Sequence, residues 1–169
     1  MSEIFKQDPD LANSIVESFL KSFNEINSKN FKFAEWDEKN NSPWDFKAID
    51  ESEEELEVQI IEASPTHDPE KLKEFRKFFE KDQMDSMSSG AIEPDDIRLE
   101  AAVGRKCIEQ KTAKLIPKKD IVLLVIFRYL PYESSNLEQM SKRLKDMKIE
   151  NCFRSLWVIS ENGQCDMLE

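Results

Sequence analysis

A mixed α/β domain, with a central sheet of about five strands flanked by helices, is the fold class this chain predicts. Three observations carry that expectation. Strand-like segments follow one another with short connections between residues 31 and 63, the pattern of an antiparallel meander. Ile121-Val122-Leu123-Leu124-Val125-Ile126-Phe127 is an unbroken apolar run, as expected of a strand covered on both faces. Helical periodicity stands before, between and after these segments.

Residues 10–27 read as the first helix. Leu11, Ile15, Phe19, Phe23 and Ile26 recur at helical spacing, with Asp8 or Asp10 as cap. Residues 31–36 alternate apolar and polar, as a half-buried strand does, and 37–42 form a polar turn. Residues 44–50 and 56–63 supply the next strands, joined by the acidic Glu51-Ser52-Glu53-Glu54-Glu55. Along the third strand Glu57, Gln59 and Ile61 share one face, and Leu56, Val58 and Ile60 the other.

Pro65 ends this segment, and Asp68-Pro69 opens a helix carrying Leu72, Phe75, Phe78 and Phe79. The Ser- and Gly-containing stretch 82–93 reads as a mobile loop. Pro94-Asp95-Asp96 begins a long helix to about Leu115, with Ile97, Ala101, Gly104, Ile108 and Leu115 as its apolar stripe. The small Ala101 and Gly104 allow close approach to a sheet. After the apolar strand come a basic amphipathic helix over 136–148, built on Leu137, Met140, Leu144 and Met147, and a last strand over 152–159. The residues from 162 to 169 read as a polar tail. No linker divides the chain, so one domain spans 1–169 with its core in about 11–160.

Composition narrows the function classes. Net charge is −11, which repels phosphate as a whole. The distribution is uneven: residues 97–155 carry 13 Lys+Arg against 7 Asp+Glu, a local excess of +6. Arg105, Lys106, Lys142, Arg143 and Lys145 are therefore candidates for gripping a DNA backbone. No run of about 18 apolar residues exists, so no membrane span is expected. The start of the sequence has no basic-then-apolar leader, so a cytoplasmic protein is expected. Cys107, Cys152 and Cys165 contain no C-x-x-C pair and read as reduced thiols. His67 is the single histidine, and three glycines leave no phosphate-binding loop.

Chemistry concentrates around Trp44-Asp45-Phe46 and Glu57-Val58-Gln59. Antiparallel pairing of these strands would bring two carboxylates together as a hard oxygen site for Mg²⁺ or Mn²⁺. The plainer alternative is a pair of solvated acids on an acidic protein. Those residues, in that order of elements, resemble the PD-(D/E)XK nuclease superfamily. The resemblance covers roughly residues 11–160 and implies a restriction-endonuclease-like core.

It implies further that Asp45 and Glu57 hold the metal and that the chain hydrolyses DNA phosphodiester bonds. Gln59 stands where Lys is usual, and Pro43 precedes Asp45 by two positions rather than one. A replacement cation is expected from Lys111, about 40° from the centre of the apolar stripe at roughly 100° per residue. Glu17 matches the superfamily's occasional first-helix Glu, although it lies away from the apolar side of its helix. The alternative function is a non-catalytic acidic regulator or immunity-type binder that masks a basic protein partner through Glu51, Glu53, Glu54 and Glu55. A homodimer is compatible with either reading.

Overall fold

The computed structural model describes residues 8–39, 41–63, 95–114, 120–127, 134–147, 149 and 151–169. The expected 82–93 loop, the helix after Pro69 and His67 lie outside these residues. So do the stripe residue Leu115 and the side chain of Ile97.

Six strands form one sheet in the order β1-β2-β3-β4-β5-β6. They are β1 Lys32–Trp36, β2 Phe46–Ile49, β3 Glu55–Glu62, β4 Ile121–Phe127, β5 Ser155–Ser160 and β6 Cys165–Met167. β1, β2 and β3 are mutually antiparallel, β4 runs parallel to both β3 and β5, and β6 is antiparallel to β5. The expected meander and central apolar strand are therefore present. The expected tail is corrected in part, because Cys165–Met167 pairs with β5 as a sixth strand.

Among the described residues three helices pack on the sheet: α1 Pro9–Asn27, α2 Asp95–Lys114 and α3 Ser134–Asp146. Asp8 caps α1 by accepting the Leu11 N–H at 3.1 Å, and Pro9 follows at the first helical position. Ser28 ends the helix in the left-handed conformation, φ 52°. The amide of Asn24 then grips Phe31 at both its N–H, 2.8 Å, and its carbonyl, 2.9 Å. That clamp sets the turn into β1.

Alternation along the strands sorts the core into two layers. Leu56, Val58, Ile60, Val122, Leu124, Ile126, Trp157 and Ile159 meet Ile15, Phe19 and Phe23 of α1. On the other face Ile121, Leu123, Val125, Phe127 and Val158 meet Ala101 and Ile108 of α2 and Leu137, Met140 and Leu144 of α3. Every residue of β4 is buried. Helices on both faces remove its apolar side chains from water, at about 1.5–3 kcal/mol for each large one.

β1 departs from expectation. It is an edge strand, mostly exposed, with a register shift between Phe33 and Glu35. Such a bulge twists an open edge away from intermolecular pairing.

Gly104 shows how tightly α2 sits on the sheet. A Cβ at this position would meet Cζ of the fully buried Phe127 at 2.5 Å. Gly104→Ala is expected to lower stability by about 1–3 kcal/mol through overpacking. Urea denaturation checks this, and an unchanged midpoint would mean that the ring yields freely.

The turn between β2 and β3 is held by Asp50. Its carboxylate accepts from Ser52 Oγ at 2.7 Å, Ser52 N–H at 2.8 Å and Glu54 N–H at 3.0 Å. These bonds, led by the Ser52 hydroxyl, hold its pKa below the usual carboxylate value. A depressed folded pKa contributes stability above the unfolded value of about 3.9, lost as pH falls through the folded value. Asp50→Asn is expected to be less stable than wild type at about pH 6, with the gap closing in acid below the unfolded value. A pH series of denaturation curves reads this directly, and a gap constant across that range would contradict it.

Candidate active site

The β2–β3 hairpin closes through Asp50 N–H to the Glu54 carbonyl, 3.1 Å. Counting outward from that closure sets the register: Ile49 faces Glu55 and Lys47 faces Glu57. The residue directly across from Glu57 is thus Lys47. The Lys47 ammonium lies 2.7 Å from Glu55 Oε2 and 3.3 Å from Glu57 Oε1, and 5.0 Å from the centre of the Trp44 ring. Its pKa is raised, mainly by the bond to Glu55 and further by Glu57, against an opposing effect of burial.

Asp45 precedes the first paired residue of β2. Its N–H donates to the Val58 carbonyl at 2.8 Å, and its Oδ2 accepts from the Ile60 N–H at 2.8 Å. The two bonds bracket Gln59 from the neighbouring strand. Asp45 therefore lies against β3 beside the Glu57–Gln59 stretch, and its carboxylate also stitches the end of the ladder.

Gln59 is 7% exposed, and its Oε1 is buried with no hydrogen-bond partner. A buried acceptor left unmatched costs about 1–3 kcal/mol, so an orphan of this kind calls for a reason. Alternation puts Gln59 and Glu57 opposite the α1 layer, on the side covered by α2 and α3.

α2 runs antiparallel to β3 and β4. Gly104 abuts Phe127 at the end of β4, while the chain re-enters β4 at Ile121. Cys107 Sγ lies 3.9 Å from the Glu62 carbonyl oxygen. Lys111 follows Cys107 by about one helical turn and is half-buried. Thr112, in the same turn, also has a buried Oγ1 without a hydrogen-bond partner.

Glu17 is exposed on α1, the helix that covers the opposite face of the sheet. Arg105 and Lys106 are exposed on α2, Lys142 and Lys145 are exposed on α3, and Arg143 is half-buried there. All five belong to the two helices on the Gln59 side. Arg105 pairs with Glu109 at 2.7 Å, and Lys145 with Asp166 at 3.1 Å.

Sequence reasoning missed Lys47. It lies two residues past Asp45, and a hairpin register would have put it across from Glu57. None of the three cysteines is in a disulfide, and burial pushes the Cys165 thiol up to about 12, which leaves it protonated and a poor nucleophile.

Asp45, Glu57 and Gln59 carry hard oxygen donors, the residue types that Mg²⁺ and Mn²⁺ take. Among the described residues no three His, Cys, Asp or Glu side chains come together as a metal-binding group. Nor, among them, is any helix long and apolar enough to cross a membrane. No family model, curated protein or solved structure matches the chain.

Proposed function

We propose that the chain is a divalent-metal-dependent nuclease on a restriction-endonuclease-like core, hydrolysing DNA phosphodiester bonds. The observation that carries this reading is the buried, unpartnered Oε1 of Gln59 beside Glu57, on a strand stitched to Asp45. An amide oxygen without a mate is poised to bind a ligand, and Glu57, two residues earlier on the same face of β3, and Asp45, on the strand side away from β4, supply carboxylates.

Asp45 and Glu57 would hold Mg²⁺ or Mn²⁺. When bound, the ion supplies a Lewis acid and an activated water. Gln59 orients that water through its amide. Lys111, half-buried on α2 about one turn past Cys107, offsets negative charge on the phosphate. Arg105, Lys106, Lys142, Arg143 and Lys145 draw the DNA backbone to the same side of the sheet, exchanging present partners for phosphate where they have them.

The alternative, an acidic surface for a basic protein partner, has weaker support. Glu54 is paired with Lys29 and Arg154, Glu55 with Lys47, and Glu51 with Asn30. Most of the acidic turn is thus engaged within the chain.

The test is cleavage of single- and double-stranded DNA in Mn²⁺, comparing wild type with Glu57→Gln. Metal-dependent cleavage that collapses in the variant supports the nuclease. Folded protein that cleaves no substrate, or a variant as active as wild type, overturns it.

A further inference from the structure

We infer that Lys47 is a resident counter-cation of Glu57 that competes with a divalent ion for the same carboxylate. The inference rests on the metal role proposed for Glu57. It goes beyond that role by naming what occupies the carboxylate before the ion arrives and how the ion's affinity is set.

Lys47 is directly across from Glu57 in the β2–β3 register, with its ammonium 3.3 Å from Glu57 Oε1. Its side chain is 16% exposed and that of Glu57 29%, so the pair is partly shielded from screening. A divalent ion on Glu57 would sit within a few ångströms of this positive charge and be repelled by it. The buried Oε1 of Gln59, the next residue on the same face of β3, is the independent sign that this face is built to receive a ligand.

Lys47 has somewhere to remain when Glu57 is taken. Its shorter contact is to Glu55 at 2.7 Å, and the Trp44 ring lies 5.0 Å from the ammonium. A lysine ammonium has three donors, so losing the Glu57 contact leaves the Glu55 pair and the cation–π contact in place. The exchange then needs only a small shift of the ammonium, with no movement of the backbone. The single ammonium also offsets part of the charge of Glu55 and Glu57, which limits like-charge repulsion along β3.

Lys47→Met keeps the length and packing of the aliphatic stem and removes the charge. Mn²⁺ binding, followed by water-proton relaxation on the full chain, is expected to tighten about three- to tenfold, the size of one screened charge at this distance. Lys47→Arg retains the charge and is expected to bind Mn²⁺ within about twofold of wild type. The tightening should shrink as salt rises. Thermal melts of both variants confirm folding, and Lys47→Gln replaces Lys47→Met if the latter does not fold.

Two results overturn the proposal, and they can be told apart. Mn²⁺ binding that is unaffected by Glu57→Gln removes the metal role of Glu57 and this inference with it. Binding that depends on Glu57 but is no tighter in the folded, uncharged Lys47 variant removes the competition alone.

Discussion

Trp157→Ala is expected to lower the unfolding free energy by about 3–5 kcal/mol, the range for removing a large buried aromatic. Trp157 on β5 is fully buried between Leu124 and Met167 of the neighbouring strands. Its ring meets Phe19 edge-on, with centroids 5.5 Å apart and planes at 89°, and Phe23 at 5.5 Å. Those contacts join α1 to the sheet, so truncation opens a cavity at the centre of one core layer. The indole N–H donates to Ser155 Oγ at 3.0 Å, and that hydroxyl would lose its partner as well. For a domain of this size the loss corresponds to a fall in Tm of about 10 °C. Phe33→Ala is the contrasting variant, since Phe33 on the edge strand is 42% exposed. Chemical denaturation of both variants reads the comparison. Equal effects would mean that α1 is not anchored through Trp157.

On the proposed nuclease reading, Glu57→Gln is expected to lower DNA cleavage at least about 10²–10³-fold, the usual cost of losing one electrostatic element of a transition state. The substitution preserves shape and removes the charge that would hold the ion. Lys47 stays paired with Glu55 in the variant, so the hairpin should keep its stability. Asp45→Ala is expected to abolish cleavage and also to destabilise the protein, because Oδ2 of Asp45 accepts the Ile60 N–H. The isosteric Glu57 variant is therefore the cleaner probe. Gln59→Lys is expected to raise the rate by putting a cation beside the attacking water. Lys111→Ala should depress the rate far more than Lys21→Ala on the exposed side of α1. Equal losses at the two lysines would remove Lys111 from the mechanism.

Much of the architecture was written locally. An apolar run as long as Ile121–Phe127 has no amphipathic solution, so a two-sided central strand was the expected outcome, and β4 is buried throughout. Asp8, one of the two cap candidates with Asp10, proved to be the cap at the start of α1, and the small Ala101 and Gly104 marked where α2 would press on the sheet. The alternation of β3 assigned Glu57 and Gln59 to one face and Leu56, Val58 and Ile60 to the other, as the two core layers bear out.

Other features depended on partners distant in sequence. Cys165–Met167 is too short for any periodicity to reveal, and it is a strand because β5 offered an open edge with backbone groups to satisfy. Residues 32–36 alternate like a half-buried strand, yet the position of β1 at the sheet edge, and its bulge, leave Phe33 exposed. The site divides in the same way. Residue types, together with strand alternation and the order of elements, singled out Asp45, Glu57 and Gln59, whereas the identity of Glu57's neighbour followed from the hairpin register. Antiparallel pairing set Lys47, rather than Asp45, across from Glu57, because the Asp50 turn determines which side chains face each other and no single strand carries that information.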